Sequence, residues 1–328
     1  MTPAEKYAAS RNRAKHPLTR EFIDQFEFPF DDFQIAACNA VEDGKGVLVA
    51  APTGAGKTVV GEFAAFSALK RGKKCFYTTP IKALSNQKFT EFVARFGEDR
   101  VGLLTGDTNI NSEAEIMVMT TEVLRNMLYA HSTTLTNLGS VVMDEVHYLA
   151  DKSRGAVWEE VLIHLMESVQ VISLSATVSN AEEFGEWLGE VRGSTEVIVS
   201  EIRPIPLYQH MLINNKLLDL FSEPGRINSE VLGIEREALK RTRIPRGRRD
   251  RYGNNDSRLS RDEIIEKLQR NNLLPAITFI FSRAGCEAAV KQCLHAGLKL
   301  TNAEERLEIT EVAQRYTANL AQEDLDVL

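Results

Sequence analysis

The chain has 328 residues, 43% of them hydrophobic and 26% charged, which suits about two globular domains and excludes a mostly disordered, collagenous or solenoid chain. Cys38, Cys75, Cys286 and Cys293 show neither CxxC spacing nor histidines at zinc-finger distances, so they read as buried reduced thiols. No apolar run approaches the roughly eighteen residues of a membrane span, and MTPAEKYAASRNRAKHP lacks a signal peptide's apolar stretch; a cytoplasmic location and no membrane partner are expected.

From about Gly46 to Ser200, short apolar runs alternate with segments of helical period. Strands are predicted at Val47 to Ala51, Cys75 to Thr79, Val101 to Leu104, Ile116 to Met119, Val141 to Met143, Val171 to Leu174 and Val197 to Val199. Runs so uniformly apolar suit central strands covered on both faces. Helices are predicted at Thr58 to Lys70, Ile81 to Phe96, Glu122 to His131, Trp158 to Glu167 and Ala181 to Leu188. The alternation implies an α/β fold with a doubly wound, mainly parallel sheet.

After Arg203-Pro204-Ile205-Pro206 the pattern changes. A short strand, Leu207 to Ile213, leads into an irregular stretch that ends in Lys240 to Arg261, where nine basic residues face only Asp250 and Asp256 in a chain of net charge -7. This segment reads as a disordered linker, with phosphate clamping around Tyr252 as the rival reading. At Pro275 the run PAITFIF predicts a strand, followed by a helix from Ala284 to Leu294. The final amphipathic helix has Thr301-x-x-Glu304 as its capping box and Ile309, Val312, Ala313, Tyr316 and Leu320 on one face. One strand and two helices cannot cover their own apolar surface, so this second domain is expected to be incomplete.

The strongest chemical signal is Ala51-Pro52-Thr53-Gly54-Ala55-Gly56-Lys57-Thr58, set between a strand and a helix. Its glycines let backbone N-H groups and the helix N-terminus wrap a phosphate; Lys57 then reaches the β and γ phosphates and Thr58 binds magnesium. Ala51 stands where such loops usually carry their first glycine. The second signal is Asp144-Glu145-Val146-His147 at a strand's carboxyl end, where open α/β sheets bind ligands. Asp144 would hold magnesium through water, and Glu145 would orient and deprotonate an attacking water.

Together with Ser175-Ala176-Thr177, these motifs resemble those of superfamily 2 DExH-box helicases, in particular the superkiller-type branch, which includes exosome-associated RNA helicases and actinobacterial relatives. The resemblance rests on TPIKALSNQK from Thr79, LTGDTNIN from Leu104, TTEVLRNML from Thr120, DEVHYLAD with Arg154-Gly155 and Trp158-Glu159-Glu160, and Arg203-Pro204. It resumes at PAITFIFSRAGCE. It implies an N-terminal extension over 1–25, a RecA-like ATP-binding domain over 26–203, a linker over 204–272 and the start of a second RecA-like domain over 273–328.

The resemblance also assigns roles. Phe28 would stack on adenine and Gln34 would bond its edge, whereas Phe30 and Phe33 read as core aromatics. His147 and Ser175-Ala176-Thr177 would couple the phosphate site to nucleic acid, a role that for Ser175 and Thr177 competes with capping the next helix. Pro80, Lys82, Gly106, Thr121 and Arg125 would line a sequence-independent track for single-stranded RNA or DNA, and Arg283 would join that track or cap its strand. The implied cofactors are ATP and Mg2+, and the implied partners are the rest of the same protein and an RNA-degradation machinery. Without the second domain's arginine finger, this chain is expected to bind ATP and hydrolyse it poorly. The rivals are a nucleotide-dependent binding module without motor activity and a DNA-repair helicase.

Overall fold

The computed structural model describes residues 15–177, 180–213, 215–223, 225–242 and 259–317, and the chain divides into two units, Met1–Pro206 and Leu207–Leu328. The first unit opens with helices α1 (Pro17–Ile23) and α2 (Asp32–Glu42). Strands and helices then alternate: β1 (Gly46–Ala50), α3 (Thr58–Lys70), β2 (Lys74–Thr79), α4 (Lys82–Phe96), β3 (Val101–Leu104), β4 (Asn109–Ile110), β5 (Ile116–Thr120), α5 (Thr121–Tyr129), β6 (Leu138–Met143), α6 (Gly155–His164), β7 (Gln170–Ser175), α7 (Ala181–Arg192) and β8 (Thr195–Val199). All seven strands predicted up to Ser200 form, with ends shifted by a few residues.

The strands make one sheet in the order β4-β3-β5-β2-β6-β7-β1-β8. Every pairing is parallel except the short β3-β4 edge, which was not predicted because its two residues carry no apolar pattern. Alternate side chains of one strand enter opposite layers. Val47 and Val49 of β1 pack with Phe63 of α3 and Phe92 of α4, while Leu48 joins Leu124, Trp158 and Leu188 from α5, α6 and α7. Covering both faces in this way makes the doubly wound fold. Each fully buried Leu, Phe or Met contributes about 1.5–3 kcal/mol of transfer free energy.

In the second unit, β9 (His210–Ile213) pairs antiparallel with β10 (Lys216–Asp219), and β11 (Phe221–Glu223) with β12 (Arg226–Ile227); α8 (Ser229–Thr242), α9 (Arg261–Arg270), α10 (Arg283–His295) and α11 (Ala303–Thr317) follow. The stretch read as an irregular linker is thus largely two hairpins and two helices. α9 has its own capping box, Ser260 with Glu263, a signal hidden beside the basic run. Most of that run, 243–258, and Leu320 lie outside the described residues. The predicted strand at 275–281 is not one. Ile277 and Phe279 are 83% and 79% exposed, and without a neighbouring strand among the described residues the segment has no ladder to join. The cap of α11 falls one residue later than predicted, with Asn302 and Glu305 exchanging backbone-to-side-chain bonds of 2.8 Å each.

Candidate nucleotide and nucleic-acid site

β1 ends at Ala50, and the loop from Ala51 to Lys57 turns into α3. Gly54 and Gly56 adopt φ of +85° and +78°, the left-handed region that glycine enters freely. Gly56 has a second reason: a Cβ there would stand 2.6 Å from Gln34 Nε2. Ala51 has no positive φ, so the departure from glycine costs no backbone strain. The loop is tied to the sheet where Ala51 N-H donates to Ser175 O at 3.1 Å. Pro52 and Ala55 are buried, whereas Thr53 and Gly54 form an exposed crest.

Lys57 folds across this loop, donating from Nζ to the carbonyls of Ala51 (2.8 Å) and Pro52 (3.1 Å). Burial lowers its pKa, and the carboxylates of Glu145 and Asp144 work against that. Gln34 belongs to α2, where its Oε1 accepts from Asp31 N at 2.8 Å, while Nε2 donates to Gly56 O at 3.1 Å. The glutamine expected to read adenine therefore fastens the phosphate loop to α2 in this structure. Phe28 is 51% exposed and stacks on Phe30 at 5.8 Å. Phe30 is buried and Phe33 packs against the same core. Behind them the Arg95 guanidinium sits 4.7 Å and 4.2 Å from the rings of Phe22 and Phe26.

Asp144 and Glu145 follow β6. Asp144 Oδ2 accepts from Tyr77 Oη at 2.7 Å, and Oδ1 accepts from Glu145 N at 2.9 Å. Tyr77 is wholly buried, and its ring fits against α3 because Gly61 has no Cβ; one there would lie 2.7 Å from Tyr77 Cε2. Burial, then the Asp144 charge, raises the phenol's pKa well above its usual value, so it stays a donor. Glu145 is in the left-handed region at φ +53°, a cost of about 1–3 kcal/mol outside glycine. Burial and then Asp144 raise its pKa. Its Oε2 lies 3.3 Å from His147 Nδ1, yet both atoms are buried without a hydrogen-bond partner among the described residues. A buried carboxylate oxygen left unpaired is costly, so the site fits a ligand that brings donors or positive charge.

Sheet order explains the proximity of the motifs. β7 lies between β1 and β6, and Ser175 pairs with Ala50 as Ser173 pairs with Met143. Ser175 Oγ accepts from Thr177 N at 3.3 Å. The capping alternative fails, because the N-cap of α7 is Asn180. Ala176 lies between the two hydroxyls.

The expected track residues of this unit share the carboxyl edge of the adjacent strands β3, β5 and β2. Lys82 Nζ meets Asp107 Oδ2 at 2.9 Å on the exposed surface, beside Gly106. Arg125 reaches Asn126 Oδ1 at 3.1 Å and Glu160 at 3.7 Å. Thr121 is buried, and its hydroxyl donates to Thr79 O at 3.3 Å, which commits it to holding α5 against β2. Arg283 belongs to the second unit, at the first turn of α10, which Ser282 caps. Three residues went unassigned from sequence. They are Tyr77; Lys88, which donates to Thr58 Oγ1 at 3.2 Å; and Arg154, which donates to Pro80 O at 2.5 Å and also to Glu122. Arg154 stood inside a quoted motif, but nothing in its spacing named a partner 74 residues away.

The DEAD/DEAH box helicase family model matches residues 31–184. "Probable helicase HelY" of Mycobacterium leprae is 53% identical over 321 residues, covering 94% of this chain and 35% of that protein. The "DExH-box ATP-dependent RNA helicase DExH15 chloroplastic" of Arabidopsis thaliana is 43% identical over 310 residues, with coverage of 83% and 26%. "Superkiller complex protein 2" of Mus musculus is 38% identical over 314 residues, with coverage of 92% and 25%. The chain thus spans a quarter to a third of the length of these relatives.

Proposed function

We propose that this chain, whose residues 31–184 match the DEAD/DEAH box helicase family model and whose relatives include superkiller-type proteins, binds ATP with Mg2+ and single-stranded nucleic acid. In the whole protein, hydrolysis would drive movement along the strand. The observation that carries the reading is the gathering of Lys57, Thr58, Asp144 and Glu145 at the carboxyl ends of β1 and β6, with Lys57 feeling both carboxylates.

Lys57 leaves the Ala51 and Pro52 carbonyls to meet the β and γ phosphates, and the loop N-H groups and the α3 N-terminus supply the rest of the cradle. Thr58 and Asp144 would hold magnesium, which would supply positive charge at the phosphates. Glu145, whose pKa burial and then Asp144 raise, orients water and takes its proton. Phe28 offers an exposed ring to the base. Pro80, Lys82, Gly106 and Arg125 face phosphates of the strand, and the Ser175-Thr177 segment at the end of β7 relays between the two sites. A RecA-like domain over 26–203 and a second one beginning at 273 are part of the same reading. RNA is named before DNA because relatives carry RNA helicase in their names.

ATP hydrolysis by this chain, with and without single-stranded RNA or DNA and with Lys57→Ala as control, tests the proposal. Nucleotide binding lost in the control, with slow turnover, supports it. Absence of nucleotide binding by the wild-type chain refutes it.

A further inference from the structure

The nucleotide site holds a second lysine that the roles above leave unused. Lys88 comes from α4, and its side chain is 12% exposed. Its ammonium donates to Glu91 Oε2 at 2.7 Å, an ordinary pairing one turn along the helix. The other bond is not ordinary: Nζ also donates to Thr58 Oγ1 at 3.2 Å, 30 residues away. Thr58 is the hydroxyl expected to bind magnesium. The carboxylates of Glu62 and Glu145 feel the same ammonium, with Arg95 also acting on Glu62 and His147 and Lys57 also acting on Glu145. A lysine on a solvated helix face would stop at Glu91; this one reaches across to the phosphate loop.

We propose that Lys88 is the resident cation of the magnesium side of Thr58 in the nucleotide-free protein. It holds the hydroxyl in place, partly neutralises the Glu145 side of the site, and withdraws onto Glu91 when metal-bound nucleotide enters. The inference rests on the ATP-site reading and deepens it. Its physical basis is exclusion. Magnesium takes oxygen ligands at about 2.0–2.1 Å, and an ammonium hydrogen-bonded to the same small hydroxyl competes for that oxygen and repels the ion. Glu91, part-exposed at the ammonium's other side, gives the displaced charge a partner already in contact.

The test measures binding without turnover. A fluorescent, non-hydrolysable ATP analogue is titrated onto the purified chain over a range of Mg2+ concentrations. Lys88→Gln keeps a donor, one bond shorter, and removes the charge, so half-maximal binding should need about five- to tenfold less Mg2+. Lys88→Arg, which keeps the charge, should behave like wild type. Thermal melting of both variants is read alongside, because a lysine that merely ties α4 to α3 would lower the melting temperature and leave the Mg2+ dependence unmoved. An unchanged Mg2+ requirement in Lys88→Gln overturns the proposal, and a raised one overturns it too by placing Lys88 on the phosphates. No binding by the wild-type chain at any Mg2+ concentration would sink the nucleotide site itself, and this inference with it.

Discussion

Replacing Tyr77 with phenylalanine removes one oxygen and leaves the packing intact. The ring is fully buried between Phe92, 5.1 Å away edge-on, and the glycine face of α3, so no cavity of consequence opens. What is lost is the 2.7 Å donor to Asp144 Oδ2. A hydrogen bond to a charged acceptor contributes roughly 1.5–3 kcal/mol, and water can partly replace this one because Asp144 is only part-buried. A stability loss of about 1–2 kcal/mol is therefore expected. The functional loss should be larger in proportion. Among the described residues the Asp144 carboxylate keeps only its hydrogen bond from the Glu145 N-H, and partners that orient a metal ligand are typically worth 10–100-fold in metal affinity. In Tyr77→Phe the Mg2+ concentration for half-maximal nucleotide binding should rise about tenfold, opposite in direction to Lys88→Gln. Binding of the non-hydrolysable analogue as a function of Mg2+ measures it, with thermal unfolding alongside. A variant that melts lower but keeps its Mg2+ requirement would refute the view that Tyr77 aims Asp144.

Arg154→Met should keep the stacking surface against Tyr148 and Trp158 while freeing Pro80 and Glu122. Nucleotide affinity should hold, and stimulation of ATP hydrolysis by single strands should fall about tenfold, a coupling of ~1.4 kcal/mol; unchanged stimulation would show that the tie is only structural. Glu145→Gln mimics the protonated acid. Because burial and Asp144 raise the folded-state pKa of Glu145, its carboxyl group contributes stability while protonated and loses that contribution as pH rises through its folded pKa. The variant should accordingly melt higher than wild type at pH 7 to 8, with the gap closing as pH falls toward the usual carboxylate range. Melting curves at several pH values read this, and a gap that widens at low pH would contradict it.

The first unit was legible because its signals are local. Apolar runs such as Val47 to Ala51 state a strand buried on both faces, and Gly54-Ala55-Gly56-Lys57-Thr58 states a loop whose two glycines the structure holds at positive φ. Long-range partners were not legible. Nothing in the sequence says that Tyr77 will donate to a carboxylate 67 residues on or that Lys88 will reach Thr58, because those contacts follow from the order of strands in the sheet. Gln34 is the instructive middle case. The motif assigns it to the adenine edge, whereas in this structure its amide bonds Gly56 O and Asp31 N, since a buried side-chain amide takes the partners within reach.

The segment 275–281 carries the same lesson for strands. Ile277 and Phe279 have the period and the β propensity of a core strand, and both are exposed. Propensity in strands measures fit to a covered, paired surface; β1 meets that condition because β7 and β8 flank it and helices lie on both of its faces, whereas PAITFIF has no ladder on either side among the described residues. A strand is thus a property of its neighbours as much as of its residues, which is why the same apolar signal forms the floor of the proposed nucleotide site in one unit and no strand among the described residues in the other.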